Sequence, residues 1–277
     1  MSRWILITGC SSGIGLDAAI GLQRRGYKVI ATLRTEAGEA GLRDAGVEHI
    51  LRIDLGDSES IRRAVDDALQ LSGGALSAVF NNAAYGQPGA VEDISRQTLR
   101  QQFETNLFGT HELTQLLLPG FLRQPDARVI NCSSVLGLVS MKYRGAYNAS
   151  KYALEGLTDT LRLEMLDTPV KVSLIEPGPI LSRFRENALA AFEEHIDVTN
   201  SRHRDAYEDT FERLKKPGAA MKFTLGPEAV TKKLIHALEA SRPRARYYVT
   251  VPTYIAGVAR RLLSTRALDR LMAKGSG

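Results

Sequence analysis

Three observations predict a doubly wound α/β fold, a mostly parallel sheet with helices on both faces. Short apolar, β-branched runs recur along the chain, amphipathic stretches of helical length separate them, and a glycine-rich turn joins the first run to the first stretch. Strands that alternate with helices pair in parallel through right-handed crossovers. With 277 residues, 44% of them apolar and 24% charged, the chain can bury one substantial core.

In chain order, strands are predicted at 4–8, 28–32, 49–53, 78–80, 128–131 and 171–175, each a buried run. Helices are predicted at 14–25, 58–71, 95–122 and 147–166, with Ser58 opening the second as a capped start. The segment from Ser182 to Lys222 breaks the alternation with polar, weakly periodic sequence and reads as an insertion or lid, about 182–224. A helix at 227–240 and a strand at 246–251 follow. No composition shift or repeat marks a boundary, so one domain over 1–277 is expected, ending in a basic extension at about 242–277.

The net charge of +5 is uneven: residues from Arg242 onward carry +7 and residues 1–241 carry −2. A nucleic-acid binder would spread its positive charge over a recognisable binding fold, so no nucleic-acid partner is expected. The longest apolar runs fall well short of the roughly 20 residues a membrane span needs. The start, Met1-Ser2-Arg3 leading into "WILITG", has no secretory pattern, which makes a cytoplasmic location the expectation. Cys10 and Cys132 lack any CxxC spacing and read as reduced structural thiols. His195 and His203, near Glu193, Glu194 and Asp197, fit no zinc spacing, and no metal is expected. In the tail, Ile255, Val258, Leu262 and Leu263 lie among Arg260, Arg261 and Arg266. That pattern suits an interfacial helix, or a cover over the core, the pocket or a partner subunit.

Chemistry concentrates at strand ends. "TGCSSGIG", Thr8 to Gly15, follows a predicted strand and opens a predicted helix, where Gly9, Gly13 and Gly15 would provide a tight turn and backbone approach to a pyrophosphate. The unpaired N–H groups of the helix start would face the phosphates. The second strand ends at Leu33 and Arg34 without the acidic residue that would accept from a ribose hydroxyl. Arg34 can pair with a 2′-phosphate, which favours NADP(H) with NAD(H) as the alternative, or it is a solvated loop arginine. "YNASK" sets Tyr147 and Lys151 one helical turn apart, as a proton-transfer pair or as an ordinary exposed pair.

These motifs, with "NNAA" (81–84), "TNLFGT" (105–110), "NCSS" (131–134) and "EPGPILS" (176–182), resemble in order and spacing the short-chain dehydrogenase/reductase family. "TGCSSGIG", "ATLR" and "YALEGL" look most like its 17β-hydroxysteroid dehydrogenase and retinol dehydrogenase branch. The resemblance implies a Rossmann-like fold and an NADP(H)-dependent oxidoreductase that interconverts a hydrophobic ketone or aldehyde and its alcohol. It implies Asn106, Ser134, Tyr147 and Lys151 as the catalytic set. It further implies cofactor contacts at Gly9, Ser11, Ser12, Gly13, Ile14, Gly15, Arg34, Asp54, Leu55, Asn81, Ala83, Tyr147, Lys151, Pro177, Gly178, Ile180 and Ser182. Ala84 departs from the family's usual Gly, and Ser12 stands where a basic phosphate reader could be. A homo-oligomer through the long helices is implied as well.

Tyr147 would trade the proton while the cofactor carries the hydride. A phenol with a pKa near about 10 needs lowering, which a Lys ammonium and an oxidised nicotinamide would do. Ser134 would place the substrate oxygen, or simply end its strand, and Asn106 would hold a water chain beside Lys151, or merely bond backbone. Phe184, Leu189, Phe192, Tyr207, Phe211, Leu214 and Phe223 would line an apolar pocket, or pack as ordinary core. A catalytically silent cofactor sensor and a membrane-peripheral enzyme are the rival readings.

Overall fold

The computed structural model describes residues 3–215 and 222–274. Seven strands form one parallel sheet: β1 (Trp4–Ile7), β2 (Lys28–Leu33), β3 (His49–Arg52), β4 (Leu76–Asn81), β5 (Ala127–Cys132), β6 (Val170–Glu176) and β7 (Arg246–Tyr248). Their spatial order is β3-β2-β1-β4-β5-β6-β7. The chain runs outward from β1 to β3, then returns beside β1 at β4. This switch opens a crevice beyond the carboxyl ends of β1 and β4, where ligands of such sheets bind. The predicted doubly wound fold is therefore the observed one, and β4 is longer than its apolar run suggested because Ser77 and Asn81 are buried inside the strand.

Helices cover both faces. On one, α1 (Gly13–Arg24) and α9 (Glu228–Glu239) bury Ala18, Leu22, Leu234 and Leu238 against Ile5, Ile7 and Phe80. On the other, α3 (Ser58–Leu71) and α5 (Gly109–Phe121) bury Ile61, Val65, Leu113, Leu117 and Phe121 against Leu6, Val79 and Val129. The alternation Ile5/Ile7 inward to one face and Leu6 to the other is the period-two geometry of a strand covered on both sides. The cap of α3 is Asp57, one residue before the expected Ser58, because its carboxylate accepts from the Glu59 N–H at 3.0 Å.

The long helix predicted at 95–122 is interrupted. It starts with α4 (Arg96–Phe103), capped by Ser95, passes through a π turn at Glu104–Phe108 and continues as α5. Helix α6 (Gly145–Glu164), which carries Tyr147 and Lys151, follows β5 after a short 3₁₀ turn at Val135–Gly137. A short α2 (Glu39–Asp44), unpredicted, links β2 to β3. The polar segment expected as an insertion forms α7 (Phe184–His195) and α8 (Arg204–Lys215). Phe192 and Tyr207 are fully buried between them with Ala90 and Ile196. The side chain of Leu214 and residues 216–221 lie outside the described residues. The tail is helical, α10 (Val251–Leu262) and α11 (Thr265–Lys274), and no helix among the described residues is long and apolar enough to cross a membrane.

Candidate active site

The glycine-rich turn sits at the end of β1, and its glycines are required by backbone sterics. Gly9 and Gly13 have φ of 72° and 55°. A Cβ on Gly15 would stand 2.2 Å from the Gly9 carbonyl oxygen, and one on Gly13 would stand 2.7 Å from Ser182 Cβ. Two residues that the sequence reading did not single out clamp this turn. The Thr8 hydroxyl accepts from the N–H groups of Asn82 and Ala83, each at 2.9 Å, and the Asn82 amide donates to the carbonyls of Thr8 (2.9 Å) and Gly9 (3.3 Å). The available signal was the need of a buried, irregular backbone for polar partners, and both residues lie inside the quoted motifs. Ser12 precedes α1 with extended backbone and leaves the helix N–H groups without a side-chain cap. Those groups, with Ser11 and Ile14 beside them, form an anion-attracting helix start.

The other predicted cofactor residues gather around this turn to different degrees. Arg34 is exposed at the end of β2, and among the described residues no carboxylate pairs with it. Its loop returns at Gly38, where a Cβ would stand 2.5 Å from the Ser11 carbonyl oxygen, so Arg34 belongs to the rim of the turn. Asp54 accepts from the Gly56 N–H at 2.8 Å and so shapes its own loop, while Leu55 is buried against the start of α5. Asn81 points away from the crevice into the interior. Its amide donates to Thr114 Oγ1 and Asn131 Oδ1, at 2.9 and 2.8 Å, and Asn131 in turn donates to Thr158 at 2.8 Å. This ladder ties β4 and β5 to α5 and α6. Pro177 accepts from the Val135 N–H at 2.8 Å, Gly178 abuts Thr250, Ile180 bridges to Leu225, and Ser182 touches the glycine turn at Gly13.

The residues expected to be catalytic converge at the end of β5 and the start of α6. Tyr147 and Lys151 are 7% and 2% exposed, which removes the reading of an exposed helical pair. Lys151 Nζ lies 5.7 Å from the centre of the Tyr147 ring and donates to the Cys132 carbonyl at 2.8 Å. Burial raises the Tyr147 phenol above its ordinary pKa, opposed by a hydrogen bond with Ser134 and by the charge of Arg144. The protein alone thus does the reverse of the expected lowering, since desolvation outweighs the nearby donors. Burial also lowers Lys151, with Cys132 and Glu155 opposing. Ser134 has two tasks: its hydroxyl accepts from the Leu136 N–H at 3.1 Å and faces Tyr147.

Asn106 sits in the π turn, 1% exposed, and is fully engaged: it accepts from the Tyr85 N–H at 3.1 Å and donates to the Tyr85 carbonyl at 2.9 Å and the Ser150 hydroxyl at 3.2 Å. The helix distortion aims it at the residue next to Lys151, as π turns at functional sites do. Asn106 thus bonds backbone and also reaches the helix that carries Tyr147 and Lys151.

Beneath the pair lies a buried ionic cluster absent from the sequence reading. Arg246 bonds Glu155 and Asp159 of α6 and Glu176 of β6, the last at 2.5 Å. Burial and the neighbouring Glu155 push Glu176 up to about 8. Only the proximity of three distant segments creates it. Above the pair, the Phe184 ring packs edge-on over Tyr147, 5.3 Å between centres, in space that Gly86 leaves open. Of the other predicted pocket apolars, Phe192 and Tyr207 are core, and Phe223 is 49% exposed. His203 lies against Tyr143 and Glu92.

Residues 3–192 match the family model described as "short chain dehydrogenase". The chain is 43% identical over 272 residues to "Uncharacterized oxidoreductase YbbO" of Escherichia coli K12, covering 98% of this chain and 94% of that protein. It is 34% identical to human "17-beta-hydroxysteroid dehydrogenase type 1", covering 89% of this chain and 77% of that protein. A crystal structure of a Burkholderia phymatum short chain dehydrogenase/reductase in complex with NAD superposes with a TM-score of 0.79 at 26% identity, covering 94% and 92% of the two chains. With the sheet order and the crevice at its switch point, these likenesses establish that the chain belongs to the short-chain dehydrogenase family and is an NAD(P)-dependent oxidoreductase of that type.

Proposed function

We propose that the protein interconverts a hydrophobic ketone or aldehyde and its alcohol with NADP(H), and that Tyr147 is the acid/base. The observation that carries this reading is the buried Tyr147/Lys151/Ser134 constellation at the carboxyl end of the sheet. The glycine cradle, in which a Cβ has no room, and the uncapped start of α1 fit the pyrophosphate of a dinucleotide. Gly9, Ser11, Ser12, Gly13, Ile14 and Gly15 would hold it, and Ser182 would close the turn from the opposite side. When bound, the nicotinamide supplies or accepts the hydride.

The chain's own residues would do the rest. Ser134 orients the substrate oxygen toward the Tyr147 hydroxyl, a task its position between the strand end and the phenol allows. Tyr147 gives its proton to the developing alkoxide in the reductive direction and takes it back in the oxidative one. Lys151, anchored by the Cys132 carbonyl, supplies the nearby positive charge that stabilises the phenolate. Asn106 fixes the Tyr85 segment to α6 and so keeps the pair in register. Phe184 excludes water above the phenol and favours an apolar group there.

Arg34 supports NADP(H), because an exposed guanidinium with no described carboxylate partner suits a 2′-phosphate. The NAD-bound relative supports NAD(H) as the second cofactor. Substrate preference leans toward the steroid- and retinoid-like end on the likeness to the 17β-hydroxysteroid dehydrogenase and on Phe184. We further propose that α7 and α8 form a substrate lid and that the protein pairs along α5 and α6, where Leu157 and Leu163 of α6, with Phe108 and Leu166 just outside the two helices, are 44–68% exposed. The test is the change in nicotinamide absorbance with NADPH and a panel of apolar ketones and aldehydes. Turnover is expected with the apolar members and is lost in Tyr147→Phe; full activity in that variant, or tight NADPH binding with no turnover on any member, overturns the reading.

A further inference from the structure

Helix α10 is built inside out for a surface helix. Its small residues Thr253, Ala256, Gly257 and Ala259 are buried, and Ala256 and Ala259 join Val139 and Leu268 over the turn that follows Ser134. Its outward ridge is apolar: Val251, Tyr254, Ile255, Val258 and Leu262 are 47–77% exposed. Those positions recur at helical spacing and form one continuous stripe. A water-facing helix ordinarily carries charge there, and a contiguous apolar stripe marks a contact surface.

The flanks of the stripe are cationic. Arg260, Arg261, Arg266 and Arg270 are exposed around it, with Asp269 as the single acid from Arg242 onward. Beside α10, Lys233, Arg244 and Arg261 line a cleft of about 250 Å³ with Tyr248 and Tyr254. Arg246 also reaches that cleft but is held by Glu155, Asp159 and Glu176. Among the described residues, no carboxylate pairs with Lys233, Arg244, Arg260, Arg261, Arg266 or Arg270.

An apolar stripe edged by unpaired arginines, with tyrosines at the boundary, is the chemistry of an interface between anionic headgroups and acyl chains. A second copy of the chain is a poor occupant. Two such ridges would bring their cations together. The helix is about 18 Å long and about 10 Å wide, short of the roughly 800 Å² per partner that a stable protein interface covers. We infer that the outer face of α10, with its arginine flanks and the adjoining cleft, docks the protein on an anionic phospholipid surface.

Docking here would be peripheral. The same helix covers the loop after Ser134, so the membrane-facing side would back directly onto the substrate side of the site, a consequence that rests on the function proposed above. Docking itself is independent of turnover.

The test is co-sedimentation of the full chain with phosphatidylcholine vesicles and with vesicles that also contain phosphatidylglycerol, at low and high salt. Binding is expected only to the anionic vesicles and is weakened by salt. Each arginine contributes about a fivefold factor in partitioning, so Arg260→Gln with Arg261→Gln is expected to weaken binding about 25-fold. Val258→Asp is expected to weaken it at least as much, with NADPH binding unchanged in both variants. No binding to anionic vesicles at low salt, or equal binding to neutral ones, overturns the proposal. So does a self-association that Val258→Asp abolishes without any vesicle binding, which would assign the ridge to a second copy. Cleft occupancy by inorganic phosphate, read by thermal shift, without vesicle binding overturns it too.

Discussion

The two ends of the crevice are built by different means. At the glycine turn, position is set by backbone: Gly9, Gly13 and Gly15 leave no room for a Cβ, and Thr8 and Asn82 bond main-chain groups. Over Tyr147, position is set by side chains: Phe184 packs on the phenol and α7 and α8 close around Phe192 and Tyr207. Backbone sterics tolerate almost no substitution, whereas side-chain packing can be retuned by exchanging one apolar residue for another. The first region thus suits an invariant ligand and the second a substrate that differs from one protein to the next.

Substitutions can break or sharpen that contrast. The largest effect is expected at the junction of the two regions, where Lys151→Met should lower kcat about 10³-fold with a smaller loss of NADPH affinity, measured by single-turnover rates and fluorescence titration. Next comes Gly15→Ala, which forces a methyl into the Gly9 carbonyl. It should weaken NADPH binding about 100-fold and lower stability by about 2 kcal/mol in urea unfolding. Arg34→Ala should raise the KM for NADPH about 30-fold and leave that for NADH unchanged, which isolates the 2′-phosphate contact. On the substrate side, Phe184→Ala should raise KM for an apolar ketone about tenfold without altering cofactor affinity.

The last effect concerns pH and is read on stability alone. Glu176 is held near 8 in the fold, above its ordinary value near 4.5, so between these limits the folded state keeps a proton that the unfolded chain releases. Stability should therefore fall as pH rises through that window, by about 1 kcal/mol per unit, and Glu176→Gln should flatten the slope in urea titrations at stepped pH.

The fold and the backbone-built half of the site were legible in sequence for one reason. Gly9, Gly13 and Gly15 work through local geometry, and local spacing reports it, as it reports the one-turn separation of Tyr147 and Lys151. The half built by packing was not. Nothing in spacing says that Arg246 meets Glu155, Asp159 and Glu176, because those residues lie on separate elements that only the sheet brings together. The π turn at Asn106 was hidden for a related reason: a helix-length apolar pattern from 95 to 122 carries no mark of one widened turn. The ladder from Asn81 to Thr114 and Asn131 was equally hidden, because those residues lie on β4, β5 and α5 and only the sheet brings them together.

One close approach binds the loop after β3 to the rest. Gly109, the first residue after the π turn, lies so near the Leu55 carbonyl that a methyl would stand 1.9 Å from it. Loop 54–56 and the distorted helix therefore meet main chain to main chain, like two gears without a gasket. A single alanine at 109 would force the two main chains apart, three residues from Asn106.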